Sequence, residues 1–275
     1  MSDDFERLVG GAGSDPGRDS GPTPTRRRAA VPAMVAAGLI GAAAIAAGLM
    51  VGGTAPPPRV AAEHPTPAAP APVAVPVDDG DSAPAASIAA LADPLWVDEV
   101  AARSGIPARA LAAYTGAALR LNTENPACGL GWNTLAAIGH VESEHGAIGA
   151  SRLDAQGRAT PGIVGIPLDG GEVDAIRDTD GGALDGDTTW DRAVGPMQFI
   201  PSTWAVFATD GDGDGVADPQ QIDDAVLTAA SYLCSIGDRP LSEPASWIAA
   251  VGAYNSTVDY NNRVAAAAAH YATTG

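Results

Sequence analysis

Three consecutive arginines, Arg26 to Arg28, stand directly before Ala29–Gly53, a stretch without a single charged side chain. About 20 apolar residues in a helix suffice to cross a bilayer, and clustered arginines stay on the cytoplasmic side of such a segment. This order predicts a short cytoplasmic part, one crossing, and everything after Gly53 outside. The run is mostly Ala and Gly, so the core of a cleaved signal peptide and a buried soluble helix remain as alternatives. Anchor and signal peptide agree on export. The expectation is an extracytoplasmic protein held to the cell membrane by one N-terminal helix, N-terminus in and C-terminus out.

Residues 1–28 are rich in Gly, Asp, Ser, Pro and Arg, lack apolar periodicity, and read as a disordered cytoplasmic tail. Residues 54–86 alternate Pro, Ala and Val and read as a linker. Extended polyproline geometry at about 3.1 Å per residue gives it a reach on the order of 100 Å. The folded domain is then 87–275. The chain is 46% hydrophobic, enough for a core of ordinary size. Its net charge is −18 and it contains no lysine. Nothing offers the basic footprint that nucleic acid requires, so that class of partner is excluded. Cys128 and Cys234 both follow the uncharged run; in an oxidising compartment a lone pair of this kind is ordinarily bridged. Two buried free thiols are the alternative.

Helical signals dominate the domain, so the predicted fold class is mainly α. Asp93-Pro94 opens a helix to Arg103, Gly105 breaks it, and Pro107 starts another to about Leu121. Further helices are predicted over Asn133–Glu144, Asp223–Ile236, Pro244–Asn255 and Tyr260–Tyr271. Only Gly162–Pro167 resembles a strand. Residues 147–192 read as a long, acidic, glycine-rich loop, of the kind that is either functional or poorly ordered.

The third helix carries the most informative side chain. Leu135, Ile138 and Glu142 are three and four apart and share one face. A carboxyl on an apolar face is pushed toward its protonated form, as a general acid near neutral pH requires. Glu144, two residues on, is expected to face water. His140 and His145 bracket the same segment. A zinc helix places histidines four apart on one face; these are five apart and read as surface or structural residues. Trp132, Trp190 and Trp204 offer flat faces to a sugar ring, or fill the core.

Glu142-Ser143, Gly195-Pro196-Met197-Gln198 and Ala253-Tyr254-Asn255 together resemble the three ordered signature motifs of lytic murein transglycosylases. The surrounding residues are most similar to the membrane-bound lytic transglycosylase B family in its actinobacterial form. Supporting stretches are Gly129–Ile138, Arg177–Gly186 and Trp190–Trp204, and the likeness spans about residues 94–272. The resemblance implies a lysozyme-like transglycosylase domain that cuts peptidoglycan glycan strands between N-acetylmuramic acid and N-acetylglucosamine. No water is added: the muramoyl 6-hydroxyl closes on its own anomeric carbon to leave a 1,6-anhydro end. It implies Glu142 as the acid and then the base. It implies Ser143, Gln198, Tyr254 and Asn255 as residues that line the cleft and hold substrate. No cofactor is implied for catalysis.

Asp210, Asp212, Asp214 and Asp218 occupy positions one, three, five and nine of a loop with Gly215 at six, the EF-hand calcium pattern, in which Val216 gives a backbone carbonyl. Position twelve is Gln221 rather than a bidentate acid. That weakens the site or moves the last ligand to Asp223 or Asp224; an Asp/Gly turn that binds nothing tightly is the alternative. Calcium here would be structural. Two other functions remain open from sequence: a hydrolytic muramidase with Asp178, Asp180 or Asp187 as second carboxylate, and a non-catalytic wall-binding scaffold.

Overall fold

The computed structural model describes residues 65–74, 87–171 and 173–275. The expected tail 1–28, the uncharged run 29–53 and linker residues 54–64 and 75–86 lie outside the described residues. Among the described residues no helix is long and apolar enough to cross a membrane.

The described chain is mainly helical, as predicted. Its α-helices are α1 (Pro94–Ser104), α2 (Ala108–Glu124), α3 (Trp132–Ser143), α4 (Pro201–Phe207), α5 (Ile222–Cys234), α6 (Pro244–Tyr254) and α7 (Val258–Ala272), preceded by one 3-10 turn at Ile88–Leu91. Local chemistry sets the ends. Asp93 caps α1 by accepting from the amides of Leu95 and Trp96, Pro94 supplies a first-turn residue that needs no amide, and Gly105 closes the helix in a left-handed conformation. Thr257 caps α7 through the Tyr260 amide. Helix α4 is absent from the predicted set; at seven residues, with no side-chain cap, it is too short to show a periodic face.

Packing follows from which faces are apolar. Leu111, Tyr114 and Ala117 of α2, Leu135 and Ile138 of α3, and Ala225, Val226 and Leu233 of α5 are all fully or almost fully buried. Helix α2 lies between α3 and α5, and α3 runs along α7. The predicted bridge between Cys128 and Cys234 is present, with Cα atoms 5.5 Å apart. It ties the entry to α3 to the end of α5.

The segment expected as an unstructured acidic loop is largely built. Strand β1 (Arg152–Leu153) pairs antiparallel with β2 (Ala159–Thr160), and β3 (Val164–Pro167), where a strand was anticipated, pairs antiparallel with β4 (Arg192–Val194). Between them the acids make the turns. Asp178 accepts from the amides of Asp180, Gly181 and Gly182, Asp180 from Gly182, Ala183 and Leu184, and Asp187 from Thr189 and Trp190. Asx turns of this kind order a chain that has no apolar periodicity.

Residues 65–74, inside the stretch read as linker, lie against the domain. Prolines cannot donate, so the contacts fall on the remaining backbone groups. The Ala68 amide donates to Asn133 Oδ1 at 2.9 Å, and Asn133 Nδ2 donates to the Thr66 carbonyl at 3.1 Å. Trp132 Nε1 donates to the Ala69 carbonyl at 3.2 Å. Farther along, the Asp93 amide donates to Pro72 and the Ala74 amide to Leu91, each at 2.8 Å. Asn133 Nδ2 also reaches the Ala268 carbonyl of α7 at 3.0 Å. One fully buried amide thus joins strap, α3 and α7. Replacing it (Asn133→Ala) is expected to destabilise by about 2–4 kcal/mol, since several buried backbone groups lose their partner. Denaturant melts of both proteins measure this, and coincident midpoints would show that the strap's hydrogen bonds contribute nothing.

Candidate active site

Glu142 sits in the last turn of α3, on the face that also buries Leu135 and Ile138. It is 4% exposed. Its Oε1 accepts a hydrogen bond from the Tyr260 hydroxyl of α7 at 2.6 Å. Burial pushes its carboxyl up to about 8, against smaller opposing effects from the Tyr260 hydrogen bond and the Arg263 charge. That shift favours the protonated carboxyl at neutral pH; Oε1 takes the tyrosine proton, so Oε2 is the oxygen free to bear the carboxyl's own.

The three sequence motifs meet around it. Ser143 Oγ donates to the Pro196 carbonyl at 2.6 Å and accepts from the Gly146 amide at 2.8 Å. The Tyr254 hydroxyl, buried at the end of α6, donates to the Met197 carbonyl at 2.8 Å. One residue from the end of α3 and one from the end of α6 thus hold the same loop, 195–198. Burial pushes the Tyr254 hydroxyl well above its ordinary range, and the neighbouring Glu142 adds to this. Gly195 is the residue that lets the loop form. Its φ is 76°, and a Cβ there would collide with the Pro219 carbonyl of the Asp-rich segment.

Gln198 also has a left-handed backbone, φ 50°, and is 1% exposed. Its Nε2 donates to the Gly195 carbonyl at 2.9 Å, while its Oε1 is buried with no hydrogen-bond partner among the described residues. Asn255, also buried, accepts from the Thr257 amide and hydroxyl at 3.0 Å each and shapes the corner between α6 and α7. Tyr260 was not singled out by sequence as a site residue. It follows Tyr254 by one short corner, but its partner is 118 positions away.

Of the tryptophans, Trp132 and Trp204 are core residues, 1% and 5% exposed. Trp190 is partly exposed, and the Arg177 guanidinium stacks 3.9 Å from its ring centre. Glu144 faces solvent as expected, His140 is exposed and His145 is buried.

The Asp-rich loop brings together part of the set anticipated from its spacing, with one of the two candidates for the last ligand. Asp210, Asp212 and Asp224 bring ligand oxygens within 4.8 Å of one another. Asp218 is paired instead with Arg158, and its amide donates to Asp224 Oδ2 at 2.8 Å. Asp214 accepts from the Val216 amide at 2.8 Å. Asp223 is committed to Arg109 and Ser87. Gln221 reaches Asp212 at 2.6 Å. Of the two replacements for position twelve, Asp224 is the one aimed into the loop. Burial raises its carboxyl to about 6, and the facing Asp212 adds to this. An all-oxygen, all-acidic set suits a hard divalent cation. A second group, Asp178, Asp180 and Asp191, has the same compactness, and the carboxylates of both groups also accept backbone amides.

Residues 174–271 match the family model described as Transglycosylase SLT domain. That match spans Gln198, the Asp-rich loop, Tyr254 and Asn255 and begins after α3, so Glu142 joins these residues through the fold. No curated protein matches the chain. Among solved structures, SltB3 from Pseudomonas aeruginosa aligns twice at 21% identity. One is its complex with NAG-NAM-pentapeptide, TM-score 0.19, and the other its complex with NAG-anhNAM-pentapeptide, TM-score 0.17. Each alignment covers 52% of this chain and 34% of SltB3, about a third of that chain's length. TM-scores this low leave fold and site to be judged from this chain's own residues.

Burial of Glu142 has a measurable cost. Its folded value of about 8 lies above the ordinary 4.5. The proton-linked stability is therefore full below pH 4.5 and is lost as pH rises through 8. Glu142→Gln removes that dependence. The variant is expected to match the native protein near pH 4 and to exceed it by up to about 5 kcal/mol above pH 8. Denaturant melts at the two pH values measure the difference; parallel curves at both would show that Glu142 is not held protonated.

Proposed function

We propose that this chain is a peptidoglycan lytic transglycosylase that cleaves the β-1,4 bond between N-acetylmuramic acid and N-acetylglucosamine without water. The observation that carries this reading is the buried Glu142 carboxyl, held by Tyr260 at the point where Ser143 and Tyr254 grip the 195–198 loop, in a chain whose residues 174–271 match a transglycosylase family. The closer likeness, to the membrane-bound B family in its actinobacterial form, rests on the residues around the motifs.

Glu142 would donate its Oε2 proton to the leaving glycosidic oxygen. The resulting carboxylate, desolvated and still bonded to Tyr260, is then a strong base and takes the proton of the muramoyl 6-hydroxyl as that oxygen closes on the anomeric carbon. The nucleophile is part of the substrate, so proximity replaces the second carboxylate that a hydrolase needs. Gln198, with its unpaired carbonyl oxygen, together with Tyr254, Asn255 and Ser143, would hold sugar amides and hydroxyls or the loop that does so. The carboxylates proposed for a water-using muramidase are tied into turns: Asp178 and Asp187 each accept backbone amides, and Asp187 also pairs with Arg192.

Digestion of purified cell wall decides the chemistry. Mass spectrometry should find muramoyl ends lighter by one water; reducing ends alone would indicate a hydrolase. Glu142→Gln should lose roughly 10²–10⁴-fold in rate, the usual contribution of general acid–base catalysis. Undiminished lysis by that variant would remove the enzyme reading.

Two further parts of the reading concern place and metal. Arg26–Arg28 with the uncharged run, and a disulfide that survives only in an oxidising compartment, support an extracytoplasmic, membrane-held enzyme. The N-terminal sequence of the mature protein distinguishes an anchor from a cleaved leader. Asp210, Asp212 and Asp224 would hold calcium as a structural ion, joining the Asp-rich loop to the first turn of α5, and no catalytic step uses it. Added calcium should raise the melting temperature and chelator should lower it. A melting temperature indifferent to both would leave the loop as a turn.

A further inference from the structure

Helix α3 is stopped abruptly. The three residues after Ser143 all have left-handed backbones: Glu144 at φ 52°, His145 at 62° and Gly146 at 82°. For residues with a Cβ this conformation is strained. The backbone holds part of the turn, because the Glu144 amide donates to the His140 carbonyl and the His145 amide to the Gly139 carbonyl, each at 3.0 Å.

The His145 ring holds the rest. It is buried, with Nδ1 3.1 Å from the Tyr114 hydroxyl of α2 and Nε2 3.0 Å from the Tyr271 hydroxyl of α7. A neutral imidazole has one N–H and one bare nitrogen, so one tyrosine accepts from the ring and the other donates to it. Burial keeps the ring neutral, its pKa lowered to about 3, and the facing His140 acts in the same direction. Gly139 makes this contact possible, because a Cβ there would collide with the Tyr114 hydroxyl.

The consequence falls on the two residues just before the turn. Ser143 Oγ meets the Gly146 amide only because the chain reverses at once. Helix α7 then grips the end of α3 on both sides of Ser143, through Tyr260 on Glu142 and Tyr271 on His145. Filling space alone would call for an apolar side chain in a relaxed backbone. A buried polar ring in a strained one, next to the candidate acid, has a different use.

We propose that His145 is a positioning residue: clamped between Tyr114 and Tyr271, it pins the left-handed turn after Ser143 and so keeps the Glu142 carboxyl buried against Tyr260. The catalytic consequence rests on the proposed function; the positional one does not.

The test uses the full chain with His145→Asn and, separately, Tyr271→Phe. Asn tolerates a left-handed backbone but is too short to bridge both hydroxyls. Tyr271→Phe leaves the ring and removes one of its two partners. The infrared band of the protonated Glu142 carboxyl, assigned by its loss in Glu142→Gln, is titrated in each protein. Besides Tyr260, the groups bearing on that carboxyl are Arg263 and Tyr254, and none of these is altered. The native midpoint is expected near 8. His145→Asn should lower it by about one unit or more as water reaches the carboxyl, and Tyr271→Phe should lower it by less. On glycan strands kcat should fall about tenfold with KM within about twofold, the signature of a misplaced reacting group. If His145→Asn fails to fold, Tyr271→Phe decides alone. A midpoint unmoved in the cooperatively melting variants overturns the proposal. Absence of glycan cleavage by the native protein would overturn the proposed function while the infrared midpoint still decides the role of His145.

Discussion

Glu142 stays out of water only while α3 lies against α7, and much of the domain serves that contact. At the start of α3, Asn133 donates to the Ala268 carbonyl at 3.0 Å. At its end, Tyr260 and Tyr271 of α7 reach Glu142 and His145. Behind α3 stands α2, whose Tyr114 hydroxyl fits into the gap left by Gly139. A buried carboxyl with no positive partner in contact is a net cost to the fold at neutral pH. That cost has to be carried by apolar packing elsewhere, and a bridge spanning 106 positions between Cys128 and Cys234 helps to carry it.

The same contact marks what could be read in the sequence. The three-and-four spacing of Leu135, Ile138 and Glu142 is local, so the face that buries the carboxyl was visible. Six of the seven α-helices among the described residues were visible for the same reason: capping residues and apolar periodicity lie within a turn or two. The partner of Glu142 was not, because Tyr260 stands 118 positions away and nothing local distinguishes it from a core tyrosine. His145 shows the limit from the other side. Its spacing from His140 rules out a zinc helix, yet its two tyrosine partners come from helices that only the fold brings together.

Residues 147–192 illustrate a second limit. Glycine and aspartate without periodicity read as loop, and the composition is indeed that of turns. The composition does not tell which carboxylate takes which amide. In the fold those choices are made residue by residue, and they tie the segment down from Asp178 to Arg192. The Asp-rich loop behaves alike: its spacing does not tell that Asp218 pairs with Arg158, nor which of Asp223 and Asp224 at the helix start comes close to Asp210 and Asp212. Residues 65–74 differ in kind. Their prolines suppress regular structure without preventing docking, because an extended chain still offers carbonyls to side chains such as Asn133 and Trp132.

A chain of net charge −18 has carboxylates in excess, and the fold sorts them by which protonation state each place requires. Where amides point inward, as at Asp187, hydrogen bonds from Thr189 and Trp190 favour the anion and pull the carboxyl below its usual range. Where α3 and α7 close over Glu142, one tyrosine hydroxyl is its hydrogen-bond donor among the described residues, and burial favours the neutral acid. Asp224 lies between these cases: three amides favour the anion, but burial prevails and leaves it near 6. A cation on the loop would reverse that balance, since Asp210 and Asp212 stand ready to share the charge. The position of an acid in this series depends on how its burial weighs against the donors that reach it. Glu142 sits at the protonated end because its burial outweighs the one hydrogen bond from Tyr260 and the Arg263 charge.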